Sequence, residues 1–234
     1  MVKEYDVIVI GAGQAGPGIA AGFATEDGLK TAMIEADKLG GTCLNYGCRP
    51  TKTLRASAHA IHQAQTGDEY GFSVGDLNID FDAVMARKNR IIGGMQDSTV
   101  EYMENVEGMD IFYTKGHFIG KEGDLFHVQA GDEVLAAKEI YINVGARARI
   151  PDIDGIHDVR YMTNQEVLAL DDLPDHMIIL GGGYIGLEFA QMFKRFGSDV
   201  TVIEHGAHVA SREDEDVSES IESFLRDEGI NLSA

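Results

Sequence analysis

The stretch Val7-Ile8-Val9-Ile10-Gly11-Ala12-Gly13-Gln14-Ala15-Gly16-Pro17 decides the fold. Four β-branched residues in a row predict a strand covered on both faces, as in a parallel sheet. The glycines match G-x-G-x-x-G, and the Ala-rich segment from Ala15 to Ala24 predicts a helix. Pro17 falls in its first turn, where a missing N–H costs little. Thr31-Ala32-Met33-Ile34 predicts the next strand, and Glu35 closes it 24 residues after Gly11. Alone, the glycine pattern reads equally well as a tight loop. The strand before it, the helix after it and the acid beyond make it a dinucleotide fingerprint. Gly11 turns the chain, Gly13 lets backbone approach a pyrophosphate, and Gly16 lets helix pack on strand. The helix N-terminus attracts phosphate, and Glu35 takes ribose hydroxyls.

The pattern recurs. Met177-Ile178-Ile179-Leu180 leads into Gly181-Gly182-Gly183-Tyr184-Ile185-Gly186, then a helix over 185–196 and a strand at Val200–Ile203. Gly181, Gly183 and Gly186 take the three glycine roles, and Glu204 stands 23 residues after Gly181. Two complete units 170 residues apart predict two dinucleotide sites and electron passage between them. A carboxylate at Glu204 repels a 2′-phosphate, which favours NAD over NADP. His205 and Arg212 lie close enough in sequence to modify that preference.

Between the fingerprints, a helical pattern runs from Asp82 to Met103, with Gly93-Gly94 expected to weaken or bend it. Short apolar runs at 111–113, 125–128 and 140–142, broken by turn residues, predict a small antiparallel meander over Ile111–Ile142. Pro151–Gly155 reads as a crossing segment. The last helix is expected from Arg212 to Asp227, with Ser211-Arg212-Glu213-Asp214 at capping-box spacing. Gly229-Ile230-Asn231-Leu232 should lead into a third strand. The expected fold class is α/β: two Rossmann-like dinucleotide-binding domains with a small antiparallel meander. The first spans 1–149, and the second spans 150–234 and is expected to be incomplete.

Composition narrows the function. Asp and Glu number 39 against 19 Lys and Arg, a formal net charge of −20. Such a field repels phosphate backbones and anionic membranes, which argues against a nucleic-acid or membrane partner. It fits either a solvated surface or adaptation to high salt. An apolar content of 44% supports a real core. No apolar run reaches the ~18 residues of a membrane span. Met1–Asp6 runs straight into the first strand without an export signal, so a cytoplasmic location is expected.

The only two cysteines, Cys43 and Cys48, lie in Gly40-Gly41-Thr42-Cys43-Leu44-Asn45-Tyr46-Gly47-Cys48-Arg49-Pro50-Thr51-Lys52. They could be two reduced thiols, part of a zinc site with His59 and His62, or a redox-active pair. His-x-x-His is short for zinc ligation, and no metal site is expected. Gly47 and Pro50 argue against one regular helix, which would hold the thiols apart. Arg49 and Lys52 would favour a thiolate. A close-spaced pair beside a dinucleotide site favours catalysis over structure.

Residues Gly40–Lys52, with both fingerprints in order, resemble the class I pyridine nucleotide–disulfide oxidoreductases, FAD flavoenzymes such as dihydrolipoamide dehydrogenase, glutathione reductase and mercuric reductase. Gln14–Pro17, Pro50–Leu54, Tyr161–Asn164 and Ser211–Asp214 are most similar to the mercuric-reductase-like branch. The resemblance implies FAD as cofactor, held by Gly11, Gly13, Gly16 and Glu35, with Gly41 and Thr42 near its pyrophosphate and Gly116 and His117 at its adenine. Cys48 would face the flavin and Cys43 would exchange with substrate. Lys52, paired with Glu188, would lie beside the flavin. Asn143-Val144-Gly145-Ala146 departs from the family's frequent Ala-Thr-Gly-Ser but retains Gly145.

The resemblance further implies electron flow from NAD(P)H through FAD and the Cys43–Cys48 disulfide to a small-molecule disulfide or metal ion, in a homodimer. Mercuric-reductase-like and dihydrolipoamide dehydrogenase activities are both open. A non-catalytic FAD-binding redox module or sensor is the reading of another class. Members of the family also carry a dimerisation domain with a His–Glu base pair, which these residues do not supply. The chain is therefore expected to be part of a longer enzyme and inactive alone in full turnover.

Overall fold

The computed structural model describes residues 1–233. They form two compact units: residues 1–51 with 89–168, and residues 52–88 with those from 169 on.

The first unit opens with β1 (Val2–Glu4), β2 (Val7–Ile10), α1 (Gly16–Thr25), β3 (Thr31–Glu35) and α2 (Gly41–Asn45). Helices α3 (Cys48–Gln65) and α4 (Phe81–Glu104) contribute to both units. Then come β4 (Met109–Tyr113), β5 (Gly116–Glu122), β6 (Leu125–Ala130), β7 (Glu133–Ala137), β8 (Glu139–Ile142) and the short α5 (Asn164–Val167). A four-stranded parallel sheet has the order β4-β3-β2-β8. The second sheet, β1-β7-β6-β5, is antiparallel except where β1 runs parallel to β7.

β2 shows why its sequence is continuously apolar. Ile8 and Ile10 pack with Val128, Leu135 and Ala137 of the antiparallel sheet. Val7 and Val9 point the other way, packing with Ala20 of α1 and Met103 of α4. All four side chains are buried. At roughly 1.5–3 kcal/mol per buried aliphatic side chain, they anchor the unit. The strand order reverses between β2 and β8, and the crevice at their C-terminal ends is where open α/β sheets bind ligands.

The second unit contains β9 (His176–Leu180), α6 (Tyr184–Phe196), β10 (Asp199–Ile203), α7 (Glu215–Asp227) and β11 (Asn231–Ser233). Its three strands are parallel in the order β11-β10-β9. Helix α6 buries Phe189, Ala190, Met192, Phe193 and Phe196, the spacing of one helical face. Phe81 joins Phe193 and Phe196, with ring centroids 6.1 and 5.8 Å away. Gly197 ends α6 with φ 119°, a left-handed cap suited to glycine.

Two Rossmann-like β-α-β units are thus present, as the fingerprints predict. Two expectations need correction. The antiparallel meander is confined to β5, β6 and β7. The flanking runs at 111–113 and 140–142 belong to β4 and β8 of the parallel sheet, because short apolar runs do not reveal their partners. Gly93-Gly94 lie within α4, whose helix runs from Phe81 to Glu104. The penalty of about 1 kcal/mol per helical glycine is overcome by the burial of side chains such as Met103. Finally, α7 starts at Glu215, not Arg212, with Asp214 at the N-cap making no side-chain capping bond. A tight turn in which Glu213 N–H donates to Ala210 C=O occupies the residues expected to begin the helix.

Gly16 and Gly18 both lie in α1 but meet different surroundings. A Cβ on Gly16 would strike the Gly11 carbonyl, whereas one on Gly18 would meet nothing within 4 Å. Gly16→Ala should therefore destabilise the chain by about 1–3 kcal/mol. Gly18→Ala should stabilise it by up to about 1 kcal/mol. Urea unfolding of the two variants checks both signs.

Candidate functional site

The two fingerprint loops share one hydrogen-bonding scheme. Gly11 N–H donates to Ile34 C=O at 2.7 Å, and Gly181 N–H to Ile203 C=O at 2.8 Å. Both glycines have φ near +100°, a left-handed region that other residues rarely enter. Ala12 N–H donates to Glu35 Oε2, and Gly182 N–H to Glu204 Oε2, each at 2.7 Å. Carbonyls of the same two residues accept from Gly40 N–H and Ala210 N–H, each at 2.8 Å and each 28 residues further on. Gly16 and Gly186 press against the carbonyls of Gly11 and Gly181, leaving no room for a side chain. The acid that ends the second strand is thus oriented by the loop it serves.

Glu204 is held tightly. Oε1 accepts from the backbone N–H groups of Gly206 and His205 and pairs with the His205 ring. The bonds from Gly206, Gly182 and His205, in that order, hold its pKa down at about 2. His205 itself is fully exposed beside it. Arg212 lies in the turn before α7.

A cavity of about 250 Å³ in the first unit gathers Gly11, Gly13, Glu35, Gly41, Thr42, Gly116, His117 and Gly145. These are eight of the residues expected around a dinucleotide. Gly16 is not in the lining; it packs α1 against the loop. Gly41 has φ 56°, and a Cβ there would lie 2.5 Å from Gly13 Cα, so the two loops meet as bare backbone. The sequence reading missed Asp37, Tyr46, Asn143 and Arg147, which also line this cavity. Asn143 is the departure from the family's usual run. Its Nδ2 donates to Gly11 C=O at 3.1 Å, and its N–H to Ile10 C=O at 2.7 Å. Its place immediately after a strand beside the fingerprint was the available signal.

Cys43 lies on α2, and Cys48 is the first residue of α3. The break between the helices falls at Tyr46-Gly47, where Asn164 Nδ2 donates to Tyr46 C=O at 2.6 Å. Asn164 belongs to α5, opened by a capping box between Thr163 and Glu166. The break sets the two reduced thiols near enough to interact. Burial pushes the Cys43 thiol up, the bond to Cys48 and its charge push the same way, and Arg49 opposes them. In the second unit, Lys52 Nζ donates to Glu188 Oε1, as expected for that pair. No group of three or more His, Cys, Asp or Glu side chains that could hold a metal occurs among the described residues. No helix there is long and apolar enough to cross a membrane.

The family model of the pyridine nucleotide-disulphide oxidoreductases matches residues 5–234. The chain belongs to this family. It is 34% identical to the dihydrolipoyl dehydrogenase of Bacillus subtilis (strain 168), over 99% of this chain and 50% of that protein. It is 36% identical to the mercuric reductase of Streptomyces lividans, over 97% of this chain and 48% of that protein. Among solved structures, it is similar to the Cu(II) complex of the HOCl-induced flavoprotein disulfide reductase RclA from Escherichia coli. The TM-score is 0.83 at 32% identity, covering 97% of this chain and 48% of that one. The chain spans about half the length of the curated relatives it matches.

Two outcomes follow from the second fingerprint. The Glu204 pKa lies below the ordinary 4.5, so its ionised form stabilises the fold above that pH, and the contribution is lost as pH falls toward about 2. Glu204→Gln should therefore flatten the acid limb of a Tm-against-pH profile between pH 4.5 and 2. Ala210 is the only non-glycine residue with positive φ among the described residues, at 51°. Ala210→Gly, ordinarily destabilising, should leave Tm unchanged or raise it by relieving that strain.

Proposed function

We propose that the chain binds FAD in its first unit and, within the intact protein, passes electrons from NADH to a small-molecule disulfide or metal ion through Cys48 and Cys43. One observation carries this reading. Gly41 and Thr42 of α2 line the cavity that gathers the fingerprint residues, while the next residue, Cys43, lines a second cavity and is near enough to Cys48 to feel its thiol. A single helical turn therefore joins the fingerprint-lined cavity to the two cysteines.

The residues present fit FAD. The bare backbone of Gly11, Gly13 and Gly41 leaves space for a pyrophosphate, and Glu35 Oε1 and Oε2 retain lone pairs for ribose hydroxyls. Gly116, His117 and Gly145 complete the cavity wall. When bound, FAD accepts a hydride from the nicotinamide and hands the electron pair to a disulfide. We assign Cys48 to the flavin side and Cys43 to the acceptor side. Lys52 and Glu188 take the supporting role that the family resemblance gives them. The second fingerprint, Gly181, Gly183 and Gly186 with Glu204, is assigned to NAD. Functional domains over 1–149 and 150–234, a homodimeric intact protein and a cytoplasmic location complete the proposal.

Purified from flavin-replete cells or incubated with FAD, the chain should bind one FAD. Two-electron reduction should then produce a long-wavelength absorption band from the Cys48 thiolate against the flavin. Cys48→Ser should abolish the band and Cys43→Ser should keep it; the reverse pattern would exchange the two roles. On the nicotinamide side, NADH should bind roughly tenfold more tightly than NADPH, about 1.4 kcal/mol. Equilibrium titration measures the ratio, and Glu204→Gln should narrow it.

A further inference from the structure

The second cavity, of about 690 Å³, is large enough for a small-molecule ligand. Cys43 lies in its wall, with Gln14 and Pro17 from the start of α1 and Met95, Ser98 and Thr99 from α4. Among the described residues, its charged lining side chains are Arg49 and Arg90, and no carboxylate lines it. That composition runs against the whole chain, in which acids outnumber bases 39 to 19. It also differs from the first cavity, where Glu35 and Asp37 face Lys38, Lys115 and Arg147. Gly94, one of the pair that leaves α4 unbroken, is also in the wall and adds no side chain to the space. A guanidinium presents a fork of donors that matches a carboxylate.

We infer that the acceptor reduced at Cys43 is an anionic, carboxylate-bearing small disulfide, drawn into this cavity by Arg90 and Arg49. The inference rests on the reading of Cys43 as the acceptor-side thiol. The exchange balances as follows. The Cys43 thiolate attacks one sulfur of the acceptor, breaking its S–S bond, forming a mixed disulfide and releasing one thiolate. The Cys48 thiolate then attacks Cys43 Sγ, closing the Cys43–Cys48 disulfide and releasing the second thiolate. The protein dithiol is oxidised by two electrons, the acceptor disulfide is reduced to two thiols, and the two protein protons end on the products. A bound FAD would supply the two electrons, taken from NADH, that restore the dithiol. A chain of net charge −20 would otherwise repel this substrate, so the two arginines set the selectivity locally.

The test uses the FAD-saturated full chain carrying Cys48→Ser, which stops the reaction at the mixed disulfide. The reduced protein is mixed with three disulfides of similar size: 3,3′-dithiodipropionate (anionic), bis(2-hydroxyethyl) disulfide (neutral) and cystamine (cationic). Intact-mass spectrometry follows the Cys43 adduct. The expected rate order is anionic, neutral, cationic, with about tenfold or more between the extremes at low salt and compression of that range in 1 M salt. Arg90→Gln should lower the anionic-to-neutral rate ratio about tenfold, and Arg90→Lys should retain most of it. Arg90 is exposed, so these variants should keep the fold. Cystamine reacting fastest, or a rate ratio indifferent to Arg90→Gln, would overturn the anionic acceptor while leaving Cys43 as the exit. Absence of an adduct with all three disulfides, with iodoacetamide still labelling Cys43, would overturn the acceptor-side assignment itself.

Discussion

The peptide groups of Ala12 hold the first unit's functional parts in one place. Ala12 is fully buried, its N–H is satisfied by Glu35 and its C=O by Gly40. A buried peptide group left without a partner costs about 1–3 kcal/mol, so neither contact is optional. One bond points the carboxylate of β3 back to the glycine loop. The other draws in the segment that carries Gly41, Thr42 and Cys43. The cradle and the dithiol are therefore positioned by the two sides of a single alanine.

The second unit repeats the arrangement with different consequences. Gly182 binds Glu204 and Ala210 as Ala12 binds Glu35 and Gly40. After Gly40 the chain enters α2 and the cysteines, whereas after Ala210 it makes a turn and begins the acidic α7. The first loop leads into the two cysteines, and the second into a turn. Around the second loop, the core is aromatic, with Phe193 and Phe196 buried on α6. Arg195 meets Glu228 through two bonds of 2.9 and 2.8 Å, fixing α6 against the end of α7. With both side chains mostly buried, that paired geometry matters more than a surface ion pair would.

Charge is distributed by task. The acidic excess covers the surface, yet each cavity of the first unit departs from it. The first mixes signs, as a site for a bulky ligand with both anionic and neutral parts would. The second holds guanidinium groups around a thiol. Arg49, in the wall of the second, also favours the Cys43 thiolate against the upward push of burial.

The sequence by itself determined the two β-α-β units, because each joins a β-branched run, three spaced glycines and an acid at the next strand's end, and few other folds need all of these together. It also determined the pairing of Cys43 with Cys48 as a chemical question, and the Lys52–Glu188 pair through family resemblance. Tertiary structure decided what depends on partners. Residues 109–113 and 139–142 look like meander strands locally, but their registers with β3 and β2 put them in the parallel sheet. The start of α7 was misplaced because the Gly182–Ala210 hydrogen bond, 28 residues long in sequence, holds the preceding turn. Asp37, Tyr46, Asn143 and Arg147 came to the first cavity from four separate places in the chain, and only the fold gathers them. Arg90 stands 47 residues from Cys43, and only the packing of α4 in the first unit places them in one wall. Local patterns record the backbone conformation a segment prefers; the partner that satisfies its buried groups is set by the rest of the chain.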